Sequence, residues 1–201
     1  EPLEFTVIRD AIPLHSVPYA FMVSPSVGYI RLTDFNETTA CRPSEGEDCE
    51  RELERALRRL QTEGARAFVL DIRDNPGGLL DQSVKVSDEF LDDGLIVYTD
   101  GRLKSQHMRF EAHQNTRPHP YPIVVLVNDG SASAAEIVAG ALQDHKRAIV
   151  LGVKTFGKGS VQTVMPLRNG AALRLTTALY YTPSGRTIQA KGIEPDIVVE
   201  L

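Results

Sequence analysis

Two residues that lie far apart in the chain, Ser133 and Lys158, are of types that cooperate in covalent catalysis. Ser133 follows an apolar run at residues 123–127, which predicts a buried strand, and it stands where a helical pattern begins. Lys158 lies between two glycines, in a loop expected at residues 154–160. A serine attacks a carbonyl when a base takes its proton, and lysine can do this where its surroundings disfavour the charged form. The pattern is therefore consistent with a serine nucleophile and a lysine base.

The start of a helix suits such a nucleophile. The first N–H groups of a helix have no internal partner and lie at the positive end of its dipole. The N–H of Ala134, directly after Ser133, can therefore receive a developing oxyanion. The residues alone leave another interpretation open, in which Ser131 or Ser133 only caps the helix and Lys158 is a solvated loop residue.

Four longer motifs carry a family resemblance. They are LDIRDNPGGLL from residue 70, NDGSASAAEIVAGAL from residue 128, KTFGKGSVQ from residue 154 and YYTPSGRTIQAKGIEPDIVV from residue 180. Together they resemble the catalytic core of the carboxyl-terminal processing proteases, the tail-specific serine peptidases of family S41. The resemblance covers nearly the whole chain, in the order expected for the family.

This resemblance assigns roles to single residues. It implies that Ser133 is the nucleophile, that Lys158 is the general base and that Gln162 orients the lysine. It also implies an oxyanion hole formed by the N–H groups of Gly78, with Gly77 as the alternative, and Ala134. No metal or organic cofactor is implied.

The resemblance also implies a fold and a cellular setting. We expect an α/β domain of the ClpP/crotonase type, built from stacked β-β-α units, that occupies residues 1–201 as a single peptidase core. The segment at residues 8–23 resembles the one that follows the PDZ domain in this family, so we expect a core without that domain. The family is typically extracytoplasmic in bacteria, which implies the periplasm or the cell envelope.

Composition limits the classes of partner. The chain has 201 residues, 42% of them hydrophobic and 24% charged, and a net charge of −5. These values are ordinary for a globular domain that can bury a core. No clustered basic face indicates nucleic-acid binding, and no apolar run is long enough to span a membrane. The expected partners are protein or peptide substrates, with an adaptor or a homo-oligomer left open.

The chain contains two cysteines, Cys41 and Cys49, which bracket a short polar segment. Their proximity favours a local disulfide in an oxidising compartment, with two free thiols as the alternative. The resemblance does not account for them, since the family does not depend on cysteines at this place. A zinc site is not supported, because no further cysteine or suitably spaced histidine accompanies the pair.

The histidines offer two alternative chemistries, neither of which the spacing supports. His107, His113 and His119 recur at even steps in a polar segment, but the step fits no helical turn and no known ligand motif. We expect a mobile hairpin near the substrate groove there instead. A Ser-His-Asp triad through His145 fails because that residue lies about 18 Å from Ser133 along the same helix, at 1.5 Å per residue. Glu136 is interpreted as a first-turn residue that interacts with the helix N-terminus.

Two other functions compete with proteolysis. The run from Gly152 to Lys158 fits the beginning of a phosphate-binding loop, but Gly159 replaces the required hydroxyl and a strand pattern follows. The stronger rival has the same fold: crotonases act on coenzyme A thioesters, and some S41-like repeats bind retinoids without proteolysis. A non-catalytic ligand- or peptide-binding module therefore stays the alternative. The joint presence of Ser133, Lys158 and Gln162 favours a peptidase.

Hydrophobic periodicity predicts alternating strands and helices. Helices are expected at residues 48–63 and 79–91 and from Ser133 onward. In the first of these helices, one apolar face is formed by Leu53, Ala56, Leu57 and Leu60. Strands are expected near residues 5–8 and at residues 27–32, 67–72, 95–98, 123–127, 148–153, 161–167, 172–180 and 197–199. Residues 73–78, which include Asn75 and the glycine pair, are expected to form a turn after the strand at 67–72.

Overall fold

The computed structural model describes Leu3 and residues 14–41, 51–114, 120–168 and 170–200. Two β-sheets and three α-helices make up the described chain. The helices are α1 (Glu52–Thr62), α2 (Leu80–Phe90) and α3 (Ala134–Asp144), and a short 3-10 helix covers Lys104–Gln106. The strands are β1 (Tyr19–Ser24), β2 (Val27–Arg31), β3 (Ala67–Asp71), β4 (Leu95–Gly101), β5 (Arg109–Glu111), β6 (Ile123–Val127), β7 (Ile149–Gly152), β8 (Ser160–Pro166), β9 (Ala172–Tyr181) and β10 (Ile197–Val198).

The larger sheet has the strand order β1-β2-β3-β6-β7-β10. All neighbours from β2 to β10 are parallel, and β1 pairs with β2 in the antiparallel direction. Leu70 on β3 lies opposite Val125 on β6. Because the carboxyl ends of these strands share one edge, the segments that follow β3 and β6 are neighbours in space, although the chain separates them widely.

The smaller sheet is antiparallel, with the order β5-β4-β9-β8. β8 is its terminal strand and follows directly on the loop that contains Lys158. The lysine loop therefore leads directly into an edge strand of this sheet.

Three helices supply much of the core. On α1 the predicted apolar face of Leu53, Ala56, Leu57 and Leu60 is buried. Residues 134–142 of α3 are all buried. Small side chains on α3 permit close packing: a Cβ added at Gly140 would lie 2.8 Å from the Cγ2 of Thr182. The helix that begins at Ser133 is therefore held on all sides by the rest of the domain.

Most element predictions are confirmed to within a few residues, and the main differences lie at the periphery. β1 is an edge strand that begins right after Pro18, where a proline is expected to be tolerated. β4 extends to Gly101, and β5 pairs with it inside the polar segment where a hairpin was expected. The strand predicted near residues 5–8 lies outside the described residues. Within the described ranges no helix has the length and apolar character needed to cross a membrane.

Candidate active site

Ser133 occupies a strained position at the start of α3. Its backbone has φ 57° and ψ −113°, a left-handed conformation that a non-glycine residue rarely adopts. Such strain persists only where the surroundings enforce it, and it is found preferentially at functional sites. The side chain is half-buried, and its hydroxyl has no hydrogen-bond partner among the described residues. The hydroxyl is therefore available to react.

Ser131, two residues before Ser133, has structural contacts. Its side chain is fully buried. The hydroxyl donates to the carbonyl of Ile72 at 2.8 Å and accepts the N–H of Asn128 at 3.1 Å. It closes the turn after β6 against the end of β3 and is not free for chemistry.

Asn75 joins the turn after β3 to the turn that carries the nucleophile. Its side-chain amide donates to the carbonyl of Leu32 at 2.9 Å, and its side-chain oxygen accepts the N–H of Gly77 at 2.9 Å. Its main-chain carbonyl accepts the N–H of Ala132 at 2.9 Å. The residue is completely buried, so these bonds are protected from competition by water. The sequence predicted no role for Asn75 beyond forming this turn.

The glycine pair next to Asn75 lies directly against the nucleophile. A Cβ added at Gly77, which has φ 102°, would lie 2.8 Å from the Cβ of Ser133 and 2.9 Å from the nitrogen of Ala134. At Gly78, with φ 146°, it would lie 2.4 Å from the carbonyl oxygen of Phe35. Only glycine fits either place, because both the backbone conformation and the space exclude a side chain.

Two N–H groups near Ser133 are unpaired within the described part of the chain. The N–H of Phe35 donates to the carbonyl of Gly77 at 3.1 Å, and the carbonyl of Phe35 accepts the N–H of Leu79 at 2.8 Å. The N–H of Gly78, which lies between these two residues, takes part in neither bond. The N–H of Ala134 at the helix start has no acceptor there either. These are the two donors predicted for an oxyanion hole, and that role stays a prediction.

Glu136 connects the nucleophile to the lysine loop. Its carboxylate is fully buried and accepts four hydrogen bonds. One oxygen accepts the N–H of Ser133 at 2.8 Å and that of Lys158 at 2.8 Å. The other accepts the hydroxyl of Thr155 at 2.6 Å and the N–H of Gly157 at 2.7 Å. Four donors compensate for the burial of the carboxylate. Glu136 is therefore a rigid connection, called the joint below, between the backbone at Ser133 and the lysine loop.

This arrangement goes beyond the role that the sequence suggested for Glu136. The serine followed three residues later by a glutamate is a helix-capping signal, and the bond to the N–H of Ser133 agrees with it. The three bonds to residues 155–158 span a long stretch of sequence and follow no local pattern. They could not be inferred from spacing along the chain.

The C-terminal segment supports the other side of the lysine loop. The N–H of Ala190 donates to the carbonyl of Gly157 at 2.8 Å, and the side chain of Gln189 accepts the N–H of Gly159 at 3.0 Å. A Cβ at Gly159 would lie 2.3 Å from the nitrogen of Gln189. The backbone around Lys158 is therefore held from both sides.

The side chain of Lys158, in contrast, is exposed and has no hydrogen-bond or ion-pair partner among the described residues. Gln162 does not contact it through a hydrogen bond in the described chain. The amide nitrogen of Gln162 donates to the hydroxyl of Thr176 at 2.6 Å and to that of Ser160 at 3.3 Å. The roles of Lys158 as base and of Gln162 as its positioning residue thus stay predictions.

A charged cluster anchors the turn that leads to Asn75. Asp71, at the end of β3, accepts the hydroxyl of Tyr29 at 2.6 Å and the guanidinium of Arg73 at 2.7 Å, and it pairs with Arg31 at 2.8 Å. Burial by itself would raise the pKa of Asp71, but hydrogen bonds from Arg73 and Tyr29 and the charge of Arg31 hold that pKa at about 2. The carboxylate is ionised at neutral pH and secures the start of the turn.

The histidines have separate structural contacts. His145 caps the far end of α3, and its ring bonds the carbonyl of Leu95 at 2.7 Å. His107 bonds the carbonyl of Gly101, and His113 bonds the buried Asp88 at 3.0 Å. His119 lies outside the described residues. None of the three described rings belongs to a described cluster that could hold a metal ion.

Cys41 is disulfide-bonded, and it is 5% exposed at the edge of the core. Cys49 lies outside the described residues, so the pairing of Cys41 with Cys49 stays a prediction.

The structure is an α/β core with a strained serine at the start of a buried helix, and comparison with known proteins identifies its family. The model of peptidase family S41 matches residues 26–199, so the chain belongs to that family. The predicted resemblance is confirmed.

Curated relatives agree with this assignment. A carboxy-terminal-processing protease of Bartonella bacilliformis is 50% identical over 200 residues, which cover 100% of this chain and 44% of the relative. The carboxy-terminal processing protease CtpA of Bacillus subtilis is 38% identical over 203 residues, covering 99% of this chain and 40% of the relative. The chain thus spans less than half the length of these relatives.

Solved structures confirm the predicted fold. A photosystem II D1 C-terminal processing protease is 37% identical, with a TM-score of 0.75 over 87% of this chain and 42% of its own. Mature CPAF has the same fold at 17% identity, with a TM-score of 0.67 over 86% of this chain and 47% of its own. The α/β, ClpP-like core is therefore established.

Proposed function

We propose that this chain is the catalytic core of a serine endopeptidase that cleaves protein substrates near their C-termini through a Ser133/Lys158 dyad. The observation that carries the proposal is the Glu136 carboxylate, which accepts the N–H groups of both dyad residues. A structural helix cap has no need to bind a distant lysine loop. Related chains of this family carry names that describe carboxy-terminal processing.

The proposed acylation starts with the two side chains acting together. The neutral amine of Lys158 takes the proton of the Ser133 hydroxyl while the serine oxygen bonds the scissile carbonyl carbon. The carbonyl oxygen becomes an oxyanion, which the N–H groups of Gly78 and Ala134 stabilise. The C–N bond then breaks, and the leaving amine receives the proton from Lys158. This leaves an acyl-enzyme on Ser133.

Deacylation repeats these steps with water. Lys158 takes a proton from a water molecule that attacks the acyl carbon, the oxyanion forms again, and the serine oxygen leaves with that proton. Substrate lying over the exposed Lys158 would exclude water from it and disfavour its charged form, because burial penalises a charge. Substrate binding therefore contributes to generating the base.

The experiment that tests the proposal compares the wild type with Ser133→Ala and Ser131→Ala on an unfolded protein substrate. Ser131→Ala is a control for the loss of a hydroxyl in the same turn. We expect Ser133→Ala to remove cleavage by a factor of about 1,000 or more, since losing a nucleophile typically costs several orders of magnitude. Covalent labelling by a fluorophosphonate, located by mass spectrometry, should fall on Ser133. Labelling elsewhere, or cleavage by Ser133→Ala, overturns the dyad.

A non-catalytic peptide-binding module is the second candidate. The hydrogen bonds of Gln162 to Thr176 and Ser160 favour it, because they leave the lysine without its expected partner. A module of this kind would bind unfolded protein without cleaving it and would leave Ser133 unlabelled.

We also propose that the chain works in an oxidising, extracytoplasmic compartment such as the periplasm. The disulfide at Cys41 supports this, because disulfides persist in such compartments and are rare in the cytosol.

A further inference from the structure

Thr155 lies near the start of the lysine loop and is 4% exposed. Its hydroxyl takes part in two hydrogen bonds: it donates to one oxygen of the Glu136 carboxylate at 2.6 Å, and it accepts the N–H of Ile193 at 2.7 Å. A hydroxyl has a single proton and a backbone N–H can only donate, so the proton of the Thr155 hydroxyl must point to the carboxylate. The direction of both bonds is therefore fixed.

The backbone that supports this hydroxyl is itself held in place. Residues 188–193 form a turn in which the N–H of Gly192 donates to the carbonyl of Ile188 at 2.9 Å. Ile188 and Ile193 are each 1% exposed, so both ends of the turn are anchored in the core. The N–H of Thr155 also donates to the carbonyl of Ile193 at 3.2 Å, so these two residues bond each other in both directions. The turn thus gives the hydroxyl a fixed support.

Gly192 permits the close approach of this turn to Thr155. It has φ 64°, and a Cβ added there would lie 2.5 Å from the carbonyl oxygen of Thr155 and 2.9 Å from its hydroxyl oxygen. Both distances are too short for heavy atoms that are not bonded to each other, so a side chain at this place would displace Thr155. The contact between the turn and the lysine loop therefore requires a glycine.

The position of this hydroxyl decides how the Glu136 carboxylate is oriented. One carboxylate oxygen accepts the hydroxyl of Thr155 and the N–H of Gly157, and the other accepts the N–H groups of Ser133 and Lys158. The last side-chain torsion of a glutamate has broad preferences, so the carboxylate can rotate unless donors hold it. Two donors on the first oxygen fix this rotation. The second oxygen then stays aligned with both of its N–H donors.

We propose that Thr155 is a positioning residue of the proposed dyad. Through the Glu136 carboxylate its hydroxyl fixes the backbone at Ser133 relative to that at Lys158, and it connects both to the turn at residues 188–193. This inference rests on the proposed function, since it concerns the alignment of the proposed nucleophile and base. Because Thr155 is buried, its loss should lower kcat and leave KM nearly unchanged.

The experiment compares Thr155→Val, which removes the hydroxyl, with Thr155→Ser, which retains it. Thr99→Val is the matched control: Thr99 is 2% exposed, and its hydroxyl also donates to a carbonyl, that of Gln106 at 2.6 Å, and accepts an N–H, that of Met108 at 3.0 Å. On fluorescein-labelled casein, we expect Thr155→Val to lower kcat about 10- to 100-fold and Thr155→Ser to stay within about threefold of wild type. Thr99→Val should lose comparable stability in urea unfolding and keep its kcat.

A second pair of variants tests the support without changing Thr155. Gly192→Ala places a methyl group against Thr155 and should lower kcat about tenfold or more. Gly185→Ala is its control, because Gly185 also has a positive φ of 84°, but the nearest atom to an added Cβ is the hydroxyl of Tyr98 at 3.6 Å. This control has the backbone strain without the clash, so its kcat should not change. Circular dichroism shows whether each variant is folded, and the glycine pair decides if Thr155→Val does not fold.

Three outcomes overturn the inference: wild-type kcat in a folded Thr155→Val or Gly192→Ala variant, an equal loss of kcat in Thr155→Val and Thr99→Val, or a loss confined to KM. Fluorophosphonate labelling of Ser133 in the wild type separates this failure from that of the proposed function. A labelled serine together with a fully active Thr155→Val variant rejects only the role of Thr155. A wild type that is never labelled and cleaves nothing rejects the proposed function, and the role of Thr155 with it.

Discussion

The two halves of the candidate site differ in what holds them in place. On the nucleophile side, Asn75, Gly77 and Ser133 are fixed by buried hydrogen bonds and by contacts that permit no added side chain. On the lysine side, the backbone of Lys158 is bound to the buried Glu136, but its side chain is exposed. Beyond it the outer part of the β8–β9 hairpin, residues 163–168 and 170–176, is exposed on both faces.

This difference suggests a division of labour. In the proposed mechanism, the groups that stabilise the transition state are backbone N–H groups on packed turns, where little freedom remains. The proposed base, Lys158, has an exposed side chain that an arriving substrate can cover. Without substrate, the nucleophile side is therefore already fixed in place, whereas the side chain of Lys158 is still exposed.

The largest effect should come from the lysine, the open half of the site. Lys158→Arg keeps the positive charge but provides a side chain that does not deprotonate, so proteolysis should fall by a factor of about 1,000 or more. In the wild type, kcat should rise with pH as the amine loses its proton. A pH–rate profile of wild type from pH 6 to 10 measures this rise. A flat profile, or an active arginine variant, would show that Lys158 is not the base.

The next effect concerns Glu136, the joint between the halves. Glu136→Ala leaves the N–H groups of Ser133, Gly157 and Lys158 and the hydroxyl of Thr155 without their acceptor. Each buried unpaired donor costs about 1–3 kcal/mol, so we expect at least about 3 kcal/mol of destabilisation by urea unfolding.

Glu136→Gln separates stability from positioning, because it keeps the size of the side chain and one of its two acceptor oxygens. It should retain more stability than Glu136→Ala and still lose a factor of about 100 in kcat, since the two halves are no longer aligned. Asp129→Asn, at an exposed carboxylate nearby in the chain, is the control. Normal kcat in a folded Glu136→Gln variant would mean that the joint does not position the dyad.

Asn75 tests the rigid half alone. Asn75→Asp keeps the oxygen that accepts the N–H of Gly77 and loses the donor to Leu32, so kcat should fall by a factor of about 10–100 with little change in KM. Asn75→Ala removes both side-chain hydrogen bonds, so its kcat should be lower still. Steady-state kinetics on a peptide substrate separates the two constants. A change confined to KM would place the effect on binding and not on the oxyanion hole.

The smallest effect lies outside both halves, at Glu54 on α1. Burial raises the pKa of this carboxyl from 4.5 to about 7. Because the folded state favours its protonated form, the contribution of Glu54 to stability is greatest below about pH 4.5 and is lost as the pH rises to about 7. Glu54→Gln should therefore raise the free energy of unfolding at pH 8, by no more than about 3 kcal/mol, and raise it less at pH 5. Urea unfolding at the two pH values checks this, and kcat should not change.

Local patterns predicted the parts of the site that lie in single elements. Ser133 at a helix start, the glycine pair after β3 and Lys158 between two glycines were all placed from neighbouring residues, and the structure has them in the predicted turns. His145 lies at the far end of α3, as its spacing from Ser133 predicted, and its ring bonds the carbonyl of Leu95 there. Periodicity was equally informative for α1, whose predicted apolar face is buried.

The roles of Asn75 and Glu136 escaped prediction because their partners are distant in sequence. Asn75 binds Leu32 and Ala132, and Glu136 binds three residues of the lysine loop. Each resembles an ordinary turn or capping residue in its local context. The bounds of β5 and its pairing with β4 were not predicted for a similar reason, since that pairing is what makes a short polar stretch extended.

Sequence by itself determined the family, the α/β class and the residue types available for chemistry, because these follow from local propensity and from motifs read within one segment. Only the tertiary structure decided which of these residues meet. Parallel pairing of β3 with β6 aligns their carboxyl ends, and that alignment brings the glycine turn against Ser133. A buried carboxylate must also find its donors wherever the fold provides them, because an unpaired charge in the interior is too costly. For Glu136 those donors lie on the lysine loop, and that contact assembles the site.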